Sequence, residues 1–251
     1  MPSDFLRQAA VLAGFIERYV LSIFYLVYAS AIVWLFRSDW PLYLREDLHS
    51  GVPVIVNQTY AYIVSRVLLV MLLYFMGGVL LLGRRAVVTP RNVPELVVPM
   101  MAAFYYVLYD QFYNKHIPDA WKVNLAPESW QQTMTTIGLV LGAVGGAISV
   151  WGLISLGRYF GIFVGVRGIV LGGPYRFVRH PIYFGYIISF SGVAVALPCW
   201  FYLVLVPIHV GLFAWRAHLE EVRLAEFSAE YRENMKHTGF LMPRWRRAKA
   251  A

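Results

Sequence analysis

Charge is scarce in this chain, and acids are scarcer than bases. Of its 251 residues only 14% are charged while 59% are hydrophobic, and 22 Lys and Arg outweigh 14 Asp and Glu, leaving a net charge of +8. With a mean hydropathy of +0.57, that balance marks a polytopic membrane protein. Cysteine is all but missing: Cys199 alone excludes an internal disulfide and a multi-cysteine zinc site. The first ten residues lack a basic region followed by a short apolar core and a small-residue cleavage site, so the first apolar segment is expected to remain as an anchor. A net positive charge alone would suit nucleic acid. Here the cations flank apolar spans, where the positive-inside rule and anionic headgroups explain them, so membrane lipids rather than nucleic acid are the expected partners.

What is present is a series of apolar segments about as long as a bilayer crossing, which takes about 20 residues. They run over about 10–36, 59–83, 94–110, 132–156, 181–197 and 200–217. The reading is all-α: a polytopic helical membrane protein of about six transmembrane helices. The last two form a tight hairpin broken at Pro198-Cys199-Trp200, with Pro207 kinking the returning arm, and an amphipathic cytosolic helix follows. Glu17 and Arg18, in the first turns of span one, are expected to face protein or headgroups. Arg66, near the start of span two, is expected to snorkel. Gly138 and Gly142 have the small-x-x-x-small spacing of close helix packing. Lys and Arg concentrate in the second loop, the fourth loop (about 157–180) and the tail, which places these and both termini in the cytoplasm. Residues 1–131 read as an N-terminal transmembrane region and 132–251 as the core that carries the chemistry.

That chemistry centres on Gly172-Gly173-Pro174-Tyr175-Arg176-Phe177-Val178-Arg179-His180-Pro181-Ile182-Tyr183-Phe184-Gly185. Pro181 suits the first position of a helix, where an N–H has no partner to lose. Arg176, Arg179 and His180 then gather at the positive end of that helix, which favours an anion. Snorkelling to headgroups is the plainer use of any one of them; the ordered string is more specific. It resembles the signature of the isoprenylcysteine carboxyl methyltransferase family, whose pattern Gly-x-Tyr-x-x-x-Arg-His-Pro-x-Tyr-x-Gly is matched by Gly173, Tyr175, Arg179, His180, Pro181, Tyr183 and Gly185. The family's second block is similar to Glu220-Glu221, Leu224, Phe227, Tyr231 and Pro243. The chain departs from it at Ser228 (Gly in the family), at Asn234 (often Tyr) and in a spacing one residue short if Glu221 is the second acid. The likeness covers about 138–245.

The resemblance implies an integral-membrane enzyme that moves a methyl group from S-adenosylmethionine, releasing S-adenosylhomocysteine, to a lipophilic acceptor entering from the bilayer. A prenylcysteine carboxylate is the family's own acceptor, and an amine, hydroxyl or thiol is an alternative. It implies catalytic roles for Arg179, Glu220 and Glu221, and cofactor contacts from Tyr175, His180, Pro181, Tyr183, Gly185 and Tyr231. Transfer from a sulfonium needs orientation, a cation-tolerant pocket and exclusion of water, and no metal. No metal site is expected, with His209 read as a packed core residue and His218 as interfacial. In the tail, Glu220, Leu224, Phe227, Tyr231 and Met235 recur at helical spacing and share one face. Arg216 stands four residues before Glu220 and can pair with it. That register favours Glu220 as the acting acid, while counting back from Leu224 favours Glu221. A membrane sterol- or enone-type reductase using NADPH is the competing enzyme class.

Overall fold

The computed structural model describes residues 4–47 and 58–244. The side chains of Arg66, Tyr105, Tyr106 and Tyr109, and all of Trp245, lie outside the described residues. In chain order the elements are α1 (Asp4–Phe15), a π-helical turn (Ile16–Leu21), α2 (Ser22–Asp47), α3 (Gln58–Leu82), α4 (Pro94–His116), α5 (Asp119–Lys122), α6 (Glu128–Leu156), α7 (Pro181–Ala196), α8 (Trp200–Phe227) and α9 (Ala229–His237). Among the described residues there is no strand, only isolated bridges joining Val88 to Val166 and Val178 to Gly239. The protein is an all-α membrane protein.

Among the described residues, three helical stretches are long and apolar enough to cross a membrane: Gln8–Trp34, Glu128–Tyr159 and Trp200–Phe227. Shorter apolar helices occupy Val67–Leu82, Pro94–Phe104 and Pro181–Ala196. These six stretches fall where the apolar segments of the sequence fall. Boundaries differ where charge had been taken as an end. The first helical run continues through Arg37 to Asp47, α4 reaches His116, and α8 continues past Ala217 to Phe227. A charged residue ends a span at the headgroups without ending a helix, because Arg and Glu are good helix formers. Pro207 likewise sits inside α8 without terminating it.

The closest packing joins α6 to α7. Its basis is glycine at seven-residue spacing: Gly138, Gly145 and Gly152 on α6 face Gly192, Gly185 and Ile182 on α7. A Cβ at Gly138 or Gly145 would collide with the carbonyl oxygen of Gly192 or Gly185. Ser149 Oγ donates across this seam to the carbonyl of Ile182 at 3.2 Å, and Ser189 Oγ to that of Gly142 at 3.1 Å. The sequence had suggested Gly138 with Gly142 as the packing pair. Gly142 is instead open, with nothing within 4 Å of a Cβ built there. A repeat of seven keeps one stripe against a neighbour in left-handed packing, which a spacing of four does not sustain.

Between α6 and α7, apart from 3-10 turns at Gly157–Tyr159 and Gly173–Arg176, the chain is non-helical, and residues 160–167 are largely buried. Phe160, Ile162, Phe163, Val164 and Val166 are each no more than 8% exposed. Such a segment must find partners for its backbone. They come from charged side chains on distant helices. Glu17, in the π-helical turn, accepts from the N–H groups of Ile162 and Phe163 and from Arg167. Arg216 on α8 donates to the carbonyls of Gly161 (3.2 Å) and Ile162 (2.8 Å). The Val164 N–H reaches the main-chain oxygen of Glu95 at 3.3 Å. Glu17 therefore faces protein, one of the two positions expected for it.

The seam gives a direct test. Gly145→Val forces a side chain into the facing backbone and is expected to cost about 3 kcal/mol, the upper end for overpacking. Gly142→Val is expected to cost far less, as its Cβ has room. Thermal unfolding of both variants in detergent measures the contrast.

Candidate active site

The expected site residues come from four places in the fold. Tyr175 lies in a 3-10 turn (Gly173–Arg176) whose first residue takes the left-handed conformation, at φ 59, that only glycine adopts freely. Arg179 and His180 precede α7, Pro181 is its first residue, and Tyr183 lies in its first turn. Glu220 and Glu221 stand on α8, and Tyr231 on α9. The chain after α9 folds back beside the motif, where Arg179 N–H donates to Gly239 O at 2.9 Å.

Two carboxylates organise the polar contacts. Arg179 makes a forked contact with Glu221 and also donates to the Met235 carbonyl at 3.1 Å. Both members of the pair are buried, with side chains 10% and 8% exposed. Glu220 receives the Tyr183 hydroxyl and, at 3.2 Å, the Nε of Arg216, the partner expected from their spacing of four. The Arg216 guanidinium also lies 5.0 Å from the centre of the Tyr183 ring. The imidazole of His180 stacks on that ring at 5.4 Å, nearly parallel. Its Nε2 lies 3.4 Å from Glu221 but without the alignment of a hydrogen bond.

A cavity with an enclosed volume of about 90 Å³ opens among these groups. Tyr175, Arg179, His180, Tyr183, Glu220 and Tyr231 all line it. Pro181 and Gly185 do not. Pro181 packs near Gly152, and Gly185 meets Ser149 and Gly145 in the α6–α7 seam. Their place in the motif is explained by helix initiation and helix packing. Glu221 stands behind the cavity wall, holding Arg179.

The tail register differs from the one expected. Phe227 is 47% exposed, and the helix breaks at Ser228, so Tyr231 reaches the cavity from a separate helix. Ser228 adopts an extended conformation (φ −138, ψ 128), and its side chain accepts from Tyr231 N–H at 3.2 Å as the cap of α9. The inward side of α8 is formed by Phe213, Arg216, Ala217, Glu221 and Arg223. The periodic apolar residues misled because one neighbouring turn packs on charge: both glutamates point into protein, Glu221 more deeply than Glu220.

Arg223 was missed. It lines the cavity, pairs with buried Glu95, and reaches Glu226 at 3.1 Å, while its Nε has no partner. Its spacing of three from Glu226 was the available signal. His209 is buried against Phe190, ring centres 4.5 Å apart, and His218 is exposed. Among the described residues no three His, Cys, Asp or Glu side chains gather in a metal-binding group.

Burial raises the Tyr175 phenol well above its ordinary pKa, and the nearby Glu220 charge adds to the effect. Tyr231 is raised too, first by burial and then by Glu221. Both stay protonated through the physiological range, so the cavity offers two phenols as hydrogen-bond donors. Among the described residues, the Tyr231 hydroxyl and His180 Nε2 are buried without a hydrogen-bond partner. Unsatisfied polar atoms of this kind fit a polar ligand that arrives to meet them.

Residues 133–229 match the family of phospholipid methyltransferases. The match spans most of α6, the buried segment, α7 and α8, so it includes every candidate residue except Tyr231. That family includes membrane methyltransferases of the isoprenylcysteine kind, and the likeness supports methyl transfer to lipophilic substrates. No curated protein matches the chain.

The two glutamates should separate in experiment. Glu221→Ala leaves the buried Arg179 charge without its carboxylate and is expected to cost about 3–5 kcal/mol of stability. Glu220→Gln keeps the shape of the cavity wall and is expected to lower kcat for methyl transfer with a smaller loss of stability. Measuring kcat and unfolding temperature on each purified variant distinguishes the roles; equal effects on both quantities would contradict this division.

Proposed function

We propose that the protein transfers a methyl group from S-adenosylmethionine, bound at the motif cavity, to a lipophilic acceptor that enters laterally from the bilayer. One observation carries this reading: a cavity of mixed lining that holds the motif's charged and phenolic groups and a second, almost wholly apolar cavity meet at Tyr183. Beyond the polar cavity lies a second of about 360 Å³. Its walls are mostly apolar side chains of α2, α3, α4, α6, α7, α8 and the buried segment, and open Gly142 lies on it. Phe160, Ile182 and Tyr183 line both. Arg216 borders the apolar cavity while its Nε holds Glu220 on the polar side. A polar donor in one and an apolar acceptor in the other can therefore be brought together beside Tyr183, and holding two reactants in line is what such a displacement needs.

The cofactor supplies an electrophilic methyl on sulfur. His180, Tyr231 and Arg223 hold its polar groups through buried atoms that are otherwise unpartnered. The ring of Tyr175, with the Glu220 carboxylate, favours its cationic centre. The enclosed volume of about 90 Å³ is below the roughly 300 Å³ at which ligand pockets begin, so binding widens it. Transfer breaks the methyl–sulfur bond and forms a bond to the acceptor. An acceptor carboxylate is already ionised; an amine, hydroxyl or thiol gives up a proton, for which Glu220 is the nearest acceptor. The prenylcysteine carboxylate of the resembling family is one acceptor of this class. The cations flanking the motif favour its cytosolic placement, on the side where the cofactor is found.

Three measurements test the reading. Purified protein is expected to bind S-adenosylhomocysteine and not NADPH; the reverse would assign it to the reductases. Tyr231→Phe removes an unsatisfied buried hydroxyl, so it is expected to leave unfolding temperature unchanged or slightly higher while weakening S-adenosylhomocysteine binding. Gly142→Leu is expected to raise KM for the lipophilic acceptor several-fold, leave cofactor affinity nearly intact, and so separate the two cavities. Methyl label from S-adenosylmethionine that appears only in water-soluble products would refute lateral entry.

A further inference from the structure

A third cavity, of about 380 Å³, lies across the buried segment from the motif cavity, and Phe160, Phe163, Gly165 and Arg167 are common to both. It is built largely outside the matched family region, from α1, the π-helical turn, the end of α3 and the chain at 83–90. Its inner surface is apolar and small-sided: a Cβ at Gly14 meets nothing within 4 Å, and Ala10, Ala13 and Leu80 surround the same space. Arg18, Arg84 and Arg85 line it as well. Among the described residues none of these three has a carboxylate partner. The one acid on the cavity, Glu17, is already committed to Arg167 and two backbone N–H groups.

Two of the guanidinium groups are positioned. Arg18 donates to the carbonyls of Leu81 (3.2 Å) and Gly83 (3.4 Å), and Arg84 lies 5.0 Å from the centre of the Tyr159 ring. Arg85 is exposed. Val11, Phe15, Leu82 and Val87, nearby in sequence, are 56–72% exposed, apolar surface suited to hydrocarbon. An apolar recess beneath uncompensated guanidinium groups matches a ligand with a hydrocarbon part and an anionic headgroup, because guanidinium forks suit phosphate oxygens. We propose that this cavity binds an anionic phospholipid of the adjoining leaflet, separately from the acceptor cavity. Seated there, the lipid braces the same buried segment that walls the motif cavity.

The test uses full-length protein in nanodiscs and detergent, with lipid retention read by native mass spectrometry, so it does not depend on methyl transfer. Phosphatidylglycerol is expected to be retained over phosphatidylcholine by roughly tenfold or more, as two or three nearby cations imply. Arg84→Gln/Arg85→Gln is expected to bring the two lipids close to parity. Gly14→Leu, which fills the recess and keeps the charges, should lower retention of both. If the double variant does not fold, Arg85→Gln alone serves, since that side chain is exposed; it should lose part of the preference. Arg176→Gln, another exposed cation, should change nothing; an equal effect there would reduce the preference to diffuse charge and overturn the site. Equal retention of both lipids by the unaltered protein, or an unchanged preference in the Arg84/Arg85 variant, would overturn it as well. Millimolar glycerol phosphate is expected not to displace the lipid; displacement would assign the cavity to a soluble phosphate ester instead.

Discussion

An apolar, non-helical stretch cannot sit inside a membrane protein unless its peptide groups are satisfied, and the arrangement of this chain follows from how residues 160–167 meet that demand. Glu17 takes two N–H groups, Arg216 serves two carbonyls, and the main chain at Glu95 takes a third N–H. Each unpaired buried peptide group would cost several kcal/mol in such a setting. Three helices are thereby fixed around one segment, and all three cavities lie along its sides. The charges that look misplaced in apolar helices are the ones that make this possible.

The second constraint is steric. Glycine spaced by seven lets α6 and α7 meet backbone to backbone, so the start of α7 is held against a rigid partner. His180 and Tyr183 inherit their positions from that contact. The motif thus mixes two kinds of residue. Arg179, His180, Tyr175 and Tyr183 meet the cavity, while Pro181 and Gly185 set the geometry that lets the others do so.

Much of this was legible in the sequence. Apolar length located the helices, the Arg-His-Pro-x-Tyr string located the cavity, and the spacing of four located Arg216 beside Glu220. What stayed hidden depended on partners far along the chain. Nothing near Glu17 announces Arg167, and nothing near Glu95 announces Arg223. The tail register held in part: Glu220, Leu224 and Tyr231 line the motif cavity, but Phe227 faces outward, and Glu221 and Arg223, off the apolar face, are buried by pairing with Arg179 and Glu95. The break at Ser228 was visible only as a departure from Gly at that position, without its capping role. Gly142 shows the limit of small-residue spacing, for the same residue type packs at 138 and 145 and lines a cavity at 142.

The pairing of Glu17 with Arg167 also bears on how the protein is made. The two residues are separated by 150 positions. At ribosomal rates of about 5–20 residues per second, roughly ten to thirty seconds pass between them. Throughout that interval the first helix carries a carboxylate whose eventual cation has not been synthesised. Glu95 waits similarly for Arg223, 128 positions later. The N-terminal helices therefore cannot take up their final contacts in order of synthesis. They must be held in the bilayer or at its surface, incompletely packed, until the last third of the chain arrives to close them.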